Sequence, residues 1–479
     1  MDYLHSIVGW AYAALYWLVT AAVTIRIIAL RRPVSVTLAW LLIIYIVPIL
    51  GAILYLLLGE LNLGRKRADR ANKMVDAYLS NLTTQFQDNA DELPGGELSL
   101  AVNQLMTSQV GIGALNYGEL VILNTPKQIF EQLIEDIRLA QRCIVLETYI
   151  WHPGGYIELL TEELINARQR GVTVKLLIDH AGSRRFFGSP SCKAMRAAGI
   201  QVVAALPVRL FRALARRVDL RMHRKLVVID DKTAYTGSMN MADPAYFKTE
   251  ARVGQWIDMM LRLEGEAAAG LAKVFAWDWE VETGERAFPD MLETAREPRR
   301  WLSIIPSGPG LGNLINHTVL ASIYRANKSI VISTPYFVPS EAVLEALCQA
   351  AARGVEVKLL LPRKNDSLMV GWASRSYFDL LLESGVQILL FDGGLLHTKA
   401  MLMDDQLAMV GSVNLDIRSF QLNFELTVAL FAPDSCIEIS KLLHSYEAAS
   451  ETLEPDRWAR RSKPARVLER LMFFMSPLL

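Results

Sequence analysis

The sequence H-R-K-L-V-V-I-D-D-K-T-A-Y-T-G-S-M-N occupies residues 223–240, and H-T-K-A-M-L-M-D-D-Q-L-A-M-V-G-S-V-N occupies residues 397–414. Both stretches fit the pattern H-x-K-x4-D-x6-G-S-x-N, and every named position of the first recurs 174 residues later in the second. One copy alone could be a surface hairpin, but two complete copies favour a shared chemical role. The pair therefore indicates an internal duplication that decides the architecture of most of the chain.

Three further matches keep the same order in both copies. Each copy also alternates short β-branched runs with helix-like segments, which is typical of an α/β fold. The matches join Ile144–Tyr149 to Ile330–Tyr336, Gly171–Ile178 to Gly354–Leu361, and Ala198–Val202 to Ser384–Ile388. The helix-like segments include Ile157–Arg170 and Glu341–Arg353. We therefore expect two similar α/β halves that pack face to face.

Each motif also predicts a local hairpin. Side chains alternate along a strand, so His223 and Lys225 should share one face. The polar run at residues 230–232 suits a turn, and Thr233–Thr236 would return as a second strand. That return would bring Ser238 and Asn240 towards His223 and Lys225. The second copy repeats this arrangement with its turn at residues 404–406 and with Ser412 and Asn414.

These residues resemble the HKD motif of the phospholipase D superfamily, and the resemblance covers about residues 116–450. The apolar N-terminal region and the segment Tyr235–Pro244 are most similar to the bacterial cardiolipin synthases of that superfamily. The resemblance implies a pseudo-two-fold arrangement in which both motifs converge on one phosphodiester site. It also implies transfer of a phosphatidyl group without a metal or other cofactor.

The resemblance and the residue chemistry together assign roles. The ammonium groups of Lys225 and Lys399 would neutralise an anionic phosphodiester, and Ser238, Asn240, Ser412 and Asn414 would donate hydrogen bonds to it. By resemblance His223 is the nucleophile and His397 the general acid and base, although near symmetry leaves these roles exchangeable. Asp230 and Asp404 would orient the histidines or brace the motifs across the interface. Glu425 resembles the family's acidic residue that orients a histidine, and Asp258 would be its counterpart after a seven-residue insertion.

The expected reaction joins two phosphatidylglycerol molecules into cardiolipin and releases glycerol. The same motifs also serve hydrolytic phospholipases, phosphatidylserine synthases and nucleases, so the motif alone leaves hydrolase and transferase open. A catalytically inactive lipid-binding scaffold should lack a key histidine or lysine, and none is missing. The chain carries 50 basic and 50 acidic residues, whereas a nucleic-acid-binding protein usually has a basic excess. We therefore expect anionic membrane lipid, and no nucleic acid, as the partner.

The N-terminal 60 residues contain only five charged side chains. The uncharged runs Ile7–Ile25 and Val34–Leu58 are each long enough for a bilayer, which takes about 20 helical residues. No basic segment precedes the first run and no small-x-small site follows it, which disfavours a cleaved signal peptide. Five basic residues follow the second run and three lie between the runs, which favours a cytoplasmic body. The sequence thus predicts a transmembrane hairpin in a bacterial inner membrane.

The remaining segments complete the predicted organisation. Residues 1–60 form the hairpin, 61–115 a juxtamembrane connector, 116–295 the first half, and 296–479 the second half with a basic tail. Pro207–Arg221 and the tail from Arg457 both mix arginines with apolar residues. Each could lie among lipid headgroups or pack as an ordinary helix on the protein. The four cysteines form no C-x-x-C pair, so a disulfide framework or zinc site is not expected.

Overall fold

The computed structural model describes residues 2–30, 34–60, 66–71, 74, 93–207, 217, 219–286, 300–309, 311 and 313–475. The chain divides into two units. The first comprises residues 1–68 and 208–220, and the second comprises residues 69–207 and 221–479. Both predicted halves fall within the second unit, except for residues 208–220 of the first half.

The apolar N-terminal region is helical, but the second run is interrupted. Helix α1 (Asp2–Ala29) contains the first run, whereas the second is divided among α2 (Val34–Ile46), α3 (Pro48–Leu54) and a π-helical turn at Tyr55–Gly59. The break lies at Pro48, because proline has no N–H to donate to the preceding turn. Ile27, Trp40, Ile44 and Tyr55 form a small buried cluster. Within the described part of the chain, no helix combines the length and the hydropathy needed to cross a membrane.

Two elements precede the first half in the chain. They are α4 (Gly96–Val110) and β1 (Leu115–Tyr117). Leu98, Val102 and Met106 of α4 are buried in the same hydrophobic core as the second half. Strand β1 pairs with a strand of that half, with Leu115 opposite Leu302. Part of the segment that the sequence assigns to a connector thus contributes to the second core.

The first half is built on a seven-stranded sheet. Its elements are β2 (Leu120–Leu123), α5 (Pro126–Leu139), β3 (Cys143–Thr148), β4 (Trp151–His152), α6 (Tyr156–Gln169), β5 (Thr173–Asp179), α7 (Pro190–Ala197), β6 (Gln201–Ala205), β7 (Leu226–Ile229), β8 (Thr233–Gly237), β9 (Met241–Ala242), β10 (Trp256–Ile257), β11 (Met260–Glu264) and α8 (Glu266–Thr283). The strand order is β2-β11-β8-β7-β3-β5-β6. The prediction of a helix over residues 157–170 is confirmed by α6 to within one residue.

The second half is built on a nine-stranded sheet. Its elements are β12 (Arg300–Ser307), α9 (Leu314–Arg325), β13 (Ser329–Ser333), β14 (Phe337–Val338), α10 (Glu341–Ala352), β15 (Glu356–Pro362), α11 (Leu368–Arg375), α12 (Phe378–Glu383), β16 (Gln387–Phe391), β17 (Leu395–Leu396), β18 (Ala400–Met403), β19 (Leu407–Gly411), β20 (Leu415–Asp416), α13 (Ile417–Gln421), β21 (Glu425–Leu430), α14 (Pro433–Ala448), β22 (Ser450–Thr452), α15 (Pro455–Ala459) and α16 (Lys463–Met475). The strand order is β1-β12-β21-β19-β18-β13-β15-β16-β22.

The two sheets share one topology. The order β11-β8-β7-β3-β5-β6 in the first sheet corresponds strand for strand to β21-β19-β18-β13-β15-β16 in the second. In both, three successive strands are parallel, namely β3-β5-β6 and β13-β15-β16, and the motif hairpin is antiparallel to its neighbours. The predicted hairpins are confirmed as β7–β8 and β18–β19. An α/β fold with two similar halves is therefore confirmed.

Candidate functional site

The two halves meet where each motif begins. The backbone N–H of His223 donates to the carbonyl of Phe424 at 2.9 Å, and the N–H of His397 donates to the carbonyl of Ile257 at 2.9 Å. Phe424 and Ile257 are the residues immediately before Glu425 and Asp258. Each histidine is thereby held beside the acidic residue of the opposite half.

Glu425 binds the histidine of the first motif. Its Oε2 lies 2.8 Å from Nδ1 of His223 and accepts a hydrogen bond of 2.6 Å from the Ser412 hydroxyl. Its Oε1 accepts from Nδ2 of Asn423 at 3.1 Å. Burial alone would raise the pKa of Glu425, but His223, Lys225 and the Ser412 hydroxyl outweigh it and lower the pKa. Glu425 is therefore a buried carboxylate that fixes the ring of His223.

Asp258 has the equivalent position in the other half. Its Oδ1 lies 2.6 Å from Nδ1 of His397 and accepts a hydrogen bond of 2.6 Å from the Ser238 hydroxyl. Burial opposes ionisation here too, but His397, Lys399 and the Ser238 hydroxyl outweigh it and lower the pKa to about 2. The seven additional residues of the first half lie in the loop between β9 and β10, so the pairing resumes in register at β10. Both halves therefore have the same arrangement, in which the histidine of one half is held by the carboxylate and serine of the other half.

The exchange also determines what the two serine hydroxyls bind in this structure. The sequence predicts that Ser238 approaches His223 and donates to phosphoryl oxygens. In the structure, Ser238 donates to the carboxylate that holds His397, and it also accepts from the backbone N–H of Met259 at 3.0 Å. In the same way, Ser412 donates to the Glu425 carboxylate and accepts from the backbone N–H of Leu426. Both serine hydroxyls thus support the carboxylates that hold the histidines.

The aspartates of the two motifs bind backbone N–H groups and not the histidines. Asp230 neither orients a histidine nor bridges the halves, because its carboxylate accepts from the backbone N–H groups of Gln141, Arg142 and Cys143 within its own half. Asp404 accepts in the same way from the N–H groups of residues 327–329. Both aspartates have φ of 53°, a left-handed conformation that Asp tolerates better than most residues. They fix the hairpin turn to the start of the neighbouring strand.

The motif lysines lie against the histidine backbone. Nζ of Lys225 donates to the carbonyl of His223 at 2.6 Å, and Nζ of Lys399 donates to the carbonyl of His397 at 2.7 Å. Burial lowers the pKa of Lys225 to about 8 and that of Lys399 to about 7. The charge of Lys399 also contributes to lowering the pKa of His223, and that of Lys225 to lowering the pKa of His397. The two motifs therefore form one electrostatic site.

Both imidazoles are neutral near pH 7. Burial lowers the pKa of His223 and of His397 to about 4, against the opposing attraction of Glu425 and Asp258. A neutral ring whose Nδ1–H donates to a carboxylate leaves a lone pair on Nε2. Each motif thus holds Nε2 as the nitrogen that can attack or take a proton.

The asparagines that follow the serines remain available for a ligand. Oδ1 of Asn240 and Oδ1 of Asn414 are buried without a hydrogen-bond partner among the described residues. Asn240 lines a pocket together with Phe247, Trp256 and Asp258. Since buried amides usually find partners, these two side chains are suited to groups that a substrate would bring.

Sequence reasoning missed the aromatic rings that contact the histidines. The ring of Tyr149 lies 5.0 Å from that of His223, and the ring of Trp256 lies 4.3 Å from that of His397. Tyr149 ends the first repeated segment, I-V-L-E-T-Y, so its place at the end of a central strand was a usable signal. Trp256 lies beyond the insertion and has no equivalent aromatic residue in the second half.

Arg224, between His223 and Lys225 in the first motif, is buried in the interface between the halves. It pairs with Asp278 on α8 and donates to the carbonyls of Glu425 at 3.0 Å and Ser307 at 3.2 Å. In the second copy, Thr398 takes this place and donates to the carbonyl of Ile257 at 3.1 Å. Arg224 thus binds the backbone at Glu425, which holds His223. Thr398 binds the backbone next to Asp258, which holds His397.

The low pKa values of the lysines predict a pH dependence. As the pH rises from about 7 to about 8, Lys399 and then Lys225 lose the charge that faces an anionic phosphodiester, so kcat/KM should fall. A bound phosphodiester favours the ammonium form, so kcat should fall only at higher pH than kcat/KM. Both constants would be measured from about pH 6 to about pH 9.5 on mixed micelles. A kcat/KM that stays constant up to about pH 9 would contradict this role for the lysines.

One predicted lipid-contacting segment, Pro207–Arg221, lies largely outside the described residues, since residues 208–216 and 218 are not described. Its proposed membrane contact stays a prediction.

Comparisons with known proteins agree with this site. The family described as "Cardiolipin synthase, PLD-like domain" matches residues 133–279 and 319–446, and "Phospholipase_D-nuclease N-terminal" matches residues 16–60. Cardiolipin synthase A of Yersinia pseudotuberculosis is 45% identical, and that of Pectobacterium atrosepticum is 44% identical, each over the full length of both chains. Among solved structures, phosphatidylserine synthase of Haemophilus influenzae has a TM-score of 0.58 at 15% identity, covering 79% of this chain and 100% of its own, which shows a shared fold. This chain therefore belongs to the cardiolipin synthase family of the phospholipase D superfamily.

Proposed function

We propose that this chain is a cardiolipin synthase that transfers a phosphatidyl group from one phosphatidylglycerol to another and releases glycerol. The observation that carries the proposal is the pair of buried histidines, each held by a buried carboxylate from the opposite half. Such a pair supplies one nucleophile and one acid or base at a single site. The full-length similarity to proteins named cardiolipin synthase A supports this choice of reaction over hydrolysis.

In the first step, Nε2 of His223 attacks the phosphorus of one phosphatidylglycerol. The new P–N bond forms as the P–O bond to the glycerol headgroup breaks, and His397 donates a proton to the departing glycerol oxygen. The anionic phosphodiester stabilises the protonated form of a nearby imidazole, so its arrival raises the low pKa that His397 has in the empty site. Lys225 and Lys399 neutralise the phosphoryl oxygens, and the Nδ2 groups of Asn240 and Asn414 donate hydrogen bonds to them.

In the second step, the phosphatidyl group leaves the histidine for a lipid alcohol. His397, now neutral, takes the proton from a headgroup hydroxyl of the second phosphatidylglycerol. The hydroxyl oxygen attacks phosphorus, the P–N bond breaks, and His223 is regenerated as cardiolipin forms. The near symmetry of the two motifs makes the opposite assignment of the histidines the specific alternative to test.

Membrane attachment is part of the proposal. Many apolar side chains of the N-terminal unit are exposed, among them Trp10, Trp17, Leu18 and Ile25 on α1. Exposed apolar surface of this extent is typical of contact with lipid or another apolar partner. We propose that the N-terminal region attaches the enzyme to a bacterial inner membrane, with the catalytic unit on the cytoplasmic side.

The function is tested by the products formed from doubly labelled phosphatidylglycerol. The purified full-length chain, incubated with lipid labelled in the headgroup glycerol and in an acyl chain, should give cardiolipin and free glycerol in equal amounts. This stoichiometry follows because each transfer releases one glycerol. Phosphatidic acid as the main product would show a hydrolase, and no product from active-site-intact protein would favour a lipid-binding scaffold.

A further inference from the structure

Helix α16 presents several of its apolar residues to solvent and buries a charged one, although Met472 packs against the core of the second half. Glu469 is only 1% exposed and binds Nε of Arg375 at 3.0 Å and Nε of Arg461 at 2.8 Å. In contrast, Val467 is 58% exposed and Leu471 is 55% exposed. A helix that only packs on a soluble protein shows the opposite arrangement, with its apolar side inward. The outward apolar residues of α16 are therefore suited to a partner.

Helix α11 adds to this surface, because it packs against α16 and begins with exposed apolar residues. Leu368 is 79% exposed, and Met369 beside it is 46% exposed. We call the exposed apolar residues of these two helices the outer apolar face, which comprises Leu368, Met369, Val467, Leu468, Leu471 and Phe473. Large apolar side chains collected in this way on a surface usually mark a binding site.

The outer apolar face is connected to the catalytic site by a short series of contacts. Asp366, two residues before Leu368, accepts a hydrogen bond of 2.8 Å from Nζ of Lys248. Nζ of Lys248 lies 5.3 Å from the centre of the Trp256 ring, which in turn contacts His397. The start of α11 therefore lies near the histidine that would act as general acid and base.

The charges around the face favour an anionic partner. Arg460, Lys463, Arg466 and Arg470 are all exposed, whereas the one acidic residue in the same stretch, 457–475, is Glu469, which is buried and paired. Exposed basic residues beside apolar ones suit the boundary between acidic headgroups and acyl chains. A symmetric contact with a second copy would instead place these basic residues against themselves.

We propose that the outer apolar face docks the catalytic unit onto an anionic phospholipid membrane, so that the site receives its lipid substrates directly from the bilayer. This proposal rests on the proposed function for its substrate, and it is separate from attachment through the N-terminal region. Docking would restrict substrate entry to the edge of the site next to α11. It predicts that damage to the face impairs the use of bilayer lipid and spares the chemical step.

The first test compares two forms of one substrate. In the full-length chain, the double variant Val467→Asp and Leu471→Asp should lower kcat/KM for phosphatidylglycerol in vesicles by roughly tenfold or more, because two apolar side chains no longer enter the lipid. Turnover of dispersed short-chain phosphatidylglycerol should stay unchanged. The matched control replaces Leu139 and Leu159 with Asp, since both are exposed leucines outside the face. Equal activity of the double variant and this control on vesicles would overturn the proposal.

The second test does not depend on turnover and so separates docking from the proposed function. An environment-sensitive probe on Leu471→Cys in the full-length chain should be quenched by brominated lipid in phosphatidylglycerol vesicles. The same probe on Leu139→Cys should not be quenched. Absence of quenching at both positions would overturn docking even if cardiolipin is made, whereas quenching at residue 471 supports docking even if no cardiolipin is made. Protection of the probe in lipid-free protein, with a mass twice that of one chain, would instead show an interface between copies.

Discussion

His223→Ala and His397→Ala are each expected to reduce cardiolipin formation by about 10⁴-fold or more, because the loss of a nucleophile or of its acid and base removes a complete step. Each histidine is buried beside a carboxylate and a lysine, and each presents Nε2 as its free nitrogen. Turnover would be measured with labelled phosphatidylglycerol and purified full-length variants. His444→Ala is a matched control, since His444 is exposed and lies on α14.

The same variants distinguish the two histidines. With phosphatidylglycerol labelled in its phosphate, His397→Ala should form an acid-labile label on the protein slowly, because His397 also protonates the departing glycerol, and should then retain it, while His223→Ala should carry none. The reason is that the phosphatidyl group is stored on the nucleophile and released only when the other histidine activates the acceptor. The opposite labelling pattern would exchange the two roles. Substantial turnover by either variant would contradict a mechanism that needs both.

Glu425→Gln and Asp258→Asn are expected to reduce kcat by about 10²- to 10⁴-fold without a comparable change in KM. An amide can donate to Nδ1, which would favour the tautomer that carries its proton on Nε2 and would block attack from that nitrogen. It also removes the negative charge that stabilises an imidazolium. Kinetics on mixed micelles would measure both constants, with Glu438→Gln as the matched control at an exposed position of the same half.

The carboxylate variants also test which half serves which histidine. Glu425→Gln should lower formation of the labelled phosphoenzyme, because Glu425 holds His223. Asp258→Asn should slow release of the label as well as its formation, because Asp258 holds His397, which acts in both steps. Ser412→Ala and Ser238→Ala should give smaller losses in the same two directions, about tenfold each, since a hydroxyl supports each carboxylate. Identical effects of Glu425→Gln and Asp258→Asn on both steps would contradict this division.

The duplicated α/β fold could be predicted because it follows from local patterns. The repeated polar positions and the alternating apolar runs predict the β7–β8 and β18–β19 hairpins within a residue or so. The uncharged run Val34–Leu58 is long enough for one continuous helix, but it contains Pro48. Because proline has no backbone N–H to donate, the helix is interrupted there, and the sequence already shows this residue.

The partners within the site could not be predicted in the same way. His223 and Ser238 lie in one motif, and nothing in their spacing shows that Ser238 supports the histidine of the other half. That arrangement depends on how the halves pack, as does the ion pair between Arg224 and Asp278. The role of Asp230 was misjudged for a related reason, because its acceptors are backbone groups, which leave no signal in the identity of residues 141–143.

The exchanged carboxylates have a consequence for the order of events during synthesis. A ribosome delivers the first half before the second, and domains generally fold in that order. Until residue 425 has emerged and the second sheet has formed, His223 has no carboxylate and Asp258 has no histidine. We therefore expect that a partly synthesised chain cannot cleave membrane lipids. His223 acquires the carboxylate that holds its ring only when the second half has folded.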